Sequence, residues 1–191
     1  MSQVTAILDF WFGDPNQPGY NQPQKFWFNN TPEFDQEIRL KFLEDYQQAA
    51  RGELNDWINA PLSCLALILL LDQFPRNMFR NTPQAFATDG KALSTAKHAV
   101  SQGYDQDLLP VQRWFIYLPF EHSENLEEQN TSIKLFQQLS DDPVAKGAID
   151  YALRHKQVIE KFGRFPHRNQ ILGRKSTPAE EEFLQQHPSG F

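Results

Sequence analysis

"PLSCLALILLLDQFP", residues 61–75, decides the fold class of this chain. From Pro61 to Phe74 it is apolar on nearly every side. A helix without a polar face must be surrounded by other elements, so this stretch reads as a central buried helix. Pro61 suits a first helical position, Asp72 and Gln73 close the helix, and Pro75 breaks it. The seven-residue apolar run from Leu65 to Leu71 is far shorter than the roughly 20 residues a bilayer demands. Cys64, the only cysteine, sits inside this run and reads as a buried, inert thiol.

Outward from this core the pattern stays helical. Val4 to Phe12 carries Val4, Ile7, Leu8 and Trp11 on one stripe. A loop rich in Pro, Gly and Asn, residues 13–24, leads to "KFWFNN", an apolar anchor. Thr31-Pro32-Glu33 opens a long helix with a buried face of Phe34, Ile38, Phe42, Leu43 and Tyr46, and Gly52 stops it. A second Thr-Pro start falls at Thr82, and Asp89 caps a helix that runs to Gln102. Pro110 to Leu118 is a short aromatic helix, and Ser123 caps the next, from Glu124 to about Leu139. Asp141-Asp142-Pro143 starts a helix that ends at Gly163. Thr177-Pro178-Ala179-Glu180 forms a capping box before the last one. The expectation is an all-α protein of about eight or nine helices in antiparallel pairs. It has no convincing strand and no true sequence repeat. No linker divides the chain, so residues 1–191 read as a single all-helical domain.

The totals narrow the function. At 191 residues, with 40% apolar and 22% charged composition, a self-sufficient core forms without a covalent staple. A single cysteine fits a reducing compartment. The N-terminal stretch has no basic segment and carries Asp9 in its apolar part, so a cytoplasmic location is expected. The net charge of −6 disfavours nucleic acid and anionic membrane as partners. Yet Lys161 to Lys175 holds five basic residues and no acid, leaving −11, the difference between −6 and +5, on the rest. A basic island in an acidic body suits a small anion, or an acidic face of the same chain.

That island contains "FGRFPHRNQILGR", residues 162–174, and it has an echo in "DQFPRNMFR", residues 72–80. Arg76, Asn77 and Arg80 form one set of donors, and Arg164, Arg168 and Asn169 the other. Forked guanidinium groups match carboxylate and phosphate geometry. Helix-end carbonyls and acidic neighbours such as Asp72 would equally explain them. A third stretch, "YLPFEHSENLEEQN", residues 117–130, offers His122 and Glu124 as an acid/base pair, with His167 from the second turn. His122-x-Glu124, with His155 or His167 adding a nitrogen, is a weak match to metal-ligand spacing and is kept as a third alternative, while the acids of this stretch equally suit the start of a helix. His155 reads as a half-buried, hydrogen-bonded histidine. No dinucleotide fingerprint, phosphate loop or nucleophile elbow is present, and no cofactor is expected.

Four stretches then carry a family resemblance: Asp9 to Gly13, Leu71 to Asn77, Tyr117 to Phe120 with His122-Ser123-Glu124, and Phe162 to Asn169. In this order the chain resembles the bacterial family called "domain of unknown function 924". The resemblance implies an all-helical, tetratricopeptide-like fold and no assigned substrate. Glu121, just before His122, departs from the small or uncharged residue that often stands there. The leading expectation is a pocket for a small anionic metabolite, walled by the two arginine turns and serving acid/base chemistry of hydrolase or transferase type. The alternative is an interaction scaffold that holds a peptide or protein partner in a groove, with the arginine turns structural.

Overall fold

The computed structural model describes residues 2–20, 22–27, 31–142 and 144–187. Among these the protein is all-α, with no strand. Helices α1 (Gln3–Phe12), α2 (Pro32–Arg51), α3 (Pro61–Ile68), α4 (Phe74–Met78) and α5 (Asp89–Ser101) come first. They are followed by α6 (Pro110–Glu121), α7 (Leu126–Gln137), α8 (Lys146–Phe162) and α9 (Pro178–Gln186). Short 3-10 turns join them. The expected anchor at "KFWFNN" is seen as such a turn, Lys25–Trp27, and residues 28–30 lie outside the described residues.

The caps follow the sequence signals in several places. The Thr31 side chain accepts from Phe34 N–H, and Gly52 closes α2 in the left-handed region at φ 84°. Only glycine adopts that conformation without strain. Thr177 and Glu180 complete the capping box of α9. Elsewhere the starts shift. Asn125, not Ser123, caps α7, accepting from the Glu127 and Glu128 N–H groups. Ser123 instead accepts from Asn125 N–H, fixing the cap itself. Thr88, not Asp89, holds the cap position of α5. The helix expected from Asp141 begins at Lys146, with Pro143 outside the described residues.

The central helix does not break at Pro75. From Leu69 to Gln73 it widens into a π turn and continues as α4 to Met78. The reason is local. A proline inside a helix clashes with the carbonyl four residues back and withdraws its own N–H. Four residues back is Leu71, and its carbonyl accepts the Thr88 hydroxyl at 2.6 Å. The wider turn makes room for the ring, and Thr88 supplies the missing donor. Pro119 is likewise carried inside α6, which extends to Glu121 rather than stopping at Leu118.

Contacts gather the chain into two compact units. The first comprises residues 1–80 and 84–119. Its core holds α3, whose Cys64 to Ile68 are all buried, and a nest of rings: Trp11, Phe12, Trp27, Phe74 and Phe115. Trp27 Nε1 donates to the Trp11 carbonyl at 2.9 Å, giving a buried indole its partner. The second unit comprises residues 81–83 and 120–191. There α7 packs on α8, and Val158, Ile159 and Phe165 form a core with Phe162 and Phe183 against it. Gly163, at φ 68°, turns the chain out of α8 and sends Phe165 back into this core.

Candidate functional site

The first arginine turn lies in the first unit and is held by acids of the chain. Arg76 donates to Asp72 at 3.1 Å, to Asp89 at 3.0 Å and to the Ala85 carbonyl at 3.1 Å. Its guanidinium also lies 5.6 Å from the Phe86 ring centroid. Burial opposes the charge of Arg76, but the Asp72 and Asp89 carboxylates outweigh it and raise its pKa. Arg80 grips Asp35 with two bonds, 2.7 and 2.8 Å, and Asn77 adds a third at 2.9 Å. Asp35 stands in the first turn of α2, where a carboxylate is already favoured. Arg76, Asn77 and Arg80 thus tie α4 to α2 and α5.

The second turn lies in the second unit, and two of its arginines are clamps as well. Arg164 forks onto Glu180 at 2.6 and 2.8 Å. That guanidinium, joined by Thr177 N–H, pushes the Glu180 carboxyl down to about 2 against the opposing effect of burial. Asn169, fully buried, donates to Ser176 at 3.0 Å. Arg174 forks onto Glu124 at 2.6 and 2.9 Å and donates to the Phe165 carbonyl at 3.0 Å. Glu124 in turn accepts Phe165 N–H at 2.8 Å. Burial would raise the Glu124 carboxyl, but Arg174 and the Phe165 amide outweigh it and hold it below its ordinary value. Glu124 and Arg174 therefore pin both backbone groups of Phe165, and with them the bend of the chain.

The pinned Phe165 ring is the hub of a different constellation. Its centroid lies 5.5 Å from that of His155, edge to face, and 5.7 Å from that of His167. The buried Arg168 guanidinium stacks over the same ring at 4.5 Å. The His122 ring lies 6.3 Å from His155. Three imidazoles and one guanidinium, from the end of α6, from α8 and from the turn after α8, thus gather in one place. At its edge stands Glu121, with only 4% of its side chain exposed and Oε1 3.1 Å from His155 Nδ1.

His155 Nδ1 also lies 2.9 Å from the Tyr151 carbonyl one turn back. A carbonyl only accepts, so Nδ1 carries the proton and Nε2 is the basic nitrogen of the neutral ring. Burial pushes His155 down to about 3, with His122, Arg168 and His167 adding to the Tyr151-opposed shift. The arrangement is a carboxylate–imidazole pair, the geometry in which a histidine is oriented to exchange a proton at its far nitrogen.

Of the residues expected from the sequence, His122, His167 and Arg168 meet at this cluster. Glu124, Arg164 and Asn169 form the clamps beside it, and Arg76, Asn77 and Arg80 belong to the first unit. The sequence reading missed the partnership of Glu121 with His155. Glu121 looked like a local departure from a family pattern, and the helical register joining Tyr151 to His155 was its one available signal. Among the described residues no group of three or more His, Cys, Asp or Glu side chains is arranged to hold a metal ion. Two surface clefts of about 310 and 260 Å³ lie in the first unit, one beside Asn55, Lys91 and Thr95, the other beside Phe10, Tyr20 and Phe26. None of the candidate side chains lines either.

Fold and cluster define an all-α protein whose second unit carries a histidine–arginine constellation held by arginine–carboxylate clamps. The chain belongs to the family described as a bacterial protein of unknown function, DUF924, whose model matches residues 7–188. It is similar in structure to a protein of unknown function from Agrobacterium tumefaciens, at 38% identity and a TM-score of 0.83. That match covers 96% of this chain and 97% of the other. No curated protein matches the sequence. No described helix is long and apolar enough to cross a membrane.

Proposed function

We propose that the second unit binds a small anionic ligand at the cluster of His122, His155, His167 and Arg168, with the Glu121–His155 pair as its acid/base group. The observation that carries this reading is the crowding itself. His155, His167 and a buried guanidinium surround one phenyl ring with His122 beside His155, and, after the larger effect of burial, His122, Arg168 and His167 each lower His155 further. An anion among them converts that repulsion into attraction. Hydrolase- or transferase-type chemistry is then available, because a ligand held there meets an oriented imidazole. A cytoplasmic location belongs to the same reading, since its natural ligand class is the metabolite pool.

The scaffold reading draws support from the clamps. Arg76, Asn77, Arg80 and Arg164 are all engaged by carboxylates, as structural fasteners would be. In that reading a tetratricopeptide-like stack presents a groove to a peptide.

A thermal-shift screen against phosphorylated and carboxylated metabolites separates the two. At a ligand concentration of about 100 times Kd the native state gains about 2.7 kcal/mol, a rise of roughly 5–10 °C for a chain of this size. The rise should vanish in Arg168→Gln. If no anion moves the melting temperature and a peptide does, the scaffold reading replaces this one.

A further inference from the structure

We infer that the cleft of about 310 Å³ lined by α2, α3 and α5 is a further binding site, shaped for a small monocarboxylate with a short apolar chain. It lies in the first unit and shares no side chain with the cluster proposed above, so it stands or falls separately.

The floor sets the apolar part. Ala49 of α2, Leu67 of α3 and Leu71 of the π turn form it, and all three are buried. The two hydroxyls on the α5 side turn back to their own helix. Ser94 donates to the Gly90 carbonyl and Thr95 to the Lys91 carbonyl, both at 2.9 Å. They close the wall without needing a bond from a ligand. The volume stands at the small end of the range for small-molecule sites, roughly 300–1,000 Å³.

Lys91 sets the charge. It is the one charged side chain among the described residues that line the cleft. Its Nζ donates to the Ala50 carbonyl at the end of α2. An ammonium carries three N–H donors, so the others are left for a ligand. Gly90 and Lys91 also stand in the first turn of α5, the end of a helix that favours a negative group. The Thr88 hydroxyl makes no cap bond there, because it is spent on the Leu71 carbonyl. Asn55 is the second polar group with capacity to spare. Its amide lies over Gly52, where a Cβ would come within 3.2 Å of Nδ2. One cation above an apolar floor matches one negative charge on an apolar body. A doubly charged phosphate would leave a charge unanswered.

Gly90 keeps the cleft open. Its backbone is not in the left-handed region, so the chain does not require glycine there. Nothing lies within 4 Å of the place a Cβ would take. Glycine inside a helix weakens it, and here its effect is to leave free the space above Leu67 and Leu71.

The test titrates the full chain with sodium acetate, butyrate and hexanoate, with hexylamine as the control of opposite charge, and follows backbone amides by NMR. The expected result is saturable shifts at Gly90, Lys91 and Ser94, with Kd for hexanoate in the millimolar range. Affinity should rise from acetate to hexanoate by up to about fourfold per methylene. Lys91→Gln should weaken hexanoate about tenfold. Gly90→Leu should abolish binding while the melting temperature stays the same or rises. Hexanoate that leaves these amides unmoved overturns the site. So does equal binding of hexylamine, or no gain with chain length, or Gly90→Leu binding as tightly as wild type. Shifts confined to His122, His155 and Arg168 overturn the cleft and favour the anion reading of the second unit. If Lys91→Gln does not fold, Gly90→Leu decides.

Discussion

Replacing Arg174 with methionine keeps its aliphatic stem but deletes the fork on Glu124 and the bond to the Phe165 carbonyl. The two charged side chains are 24% and 28% exposed, between a surface pair and a buried one. Exposed pairs contribute under about 1 kcal/mol, whereas breaking a buried pair costs about 3–5 kcal/mol. Glu124 keeps the Phe165 N–H and some water, so the loss should be about 2 kcal/mol. For a chain of 191 residues that is a fall in Tm of roughly 4–8 °C. The carboxyl of Glu124 is held below its ordinary value in the folded protein. Its contribution is therefore fully present above the ordinary carboxylate range and is lost as pH falls through the lowered folded value. Urea denaturation of wild type and Arg174→Met at pH 7 and near pH 3 checks both points, and a double-mutant cycle with Glu124→Gln isolates the pair. A gap below about 0.5 kcal/mol at pH 7 would refute the clamp. So would a gap that stays the same in acid.

Arg76→Met leaves the nearly inaccessible Asp72 carboxylate without its guanidinium, and chemical denaturation should show a loss of about 3–5 kcal/mol. Thr88→Val removes the donor to the Leu71 carbonyl. The expected cost is about 1–2 kcal/mol, with hydrogen-exchange protection falling first around residues 69–75. Burial pushes the Cys64 thiol up to about 12. A disulfide reagent at pH 8 should label it no faster than the protein unfolds, and rapid labelling of the native state would contradict its place in the core.

The fold was legible because its signals are local. Thr31-Pro32, Gly52, Gly163 and the Thr177 box each satisfy or end a helix with groups a few residues away. The π turn at Leu69–Gln73 was not legible, because the hydroxyl that stabilises it arrives from Thr88, 17 residues on. The same distinction runs through the site. Sequence chemistry singled out His122, His167 and Arg168 as candidates. It could not tell which acids take up which arginines, since Asp35 meets Arg80 across 45 positions and Glu124 meets Arg174 across 50. Glu121 escaped notice for a related reason. Its role appears only when the end of α6 is set against His155 on α8.

The most direct test of the anion site is crystallographic. Crystals grown without sulfate or phosphate and soaked in selenate would locate a tetrahedral oxyanion by the anomalous signal of selenium. The expected result is a peak within hydrogen-bonding distance of the Arg168 guanidinium and the His122 ring, with His155 beside it. Selenate found only elsewhere, with Arg168 and His122 untouched at saturating concentration, would contradict the account.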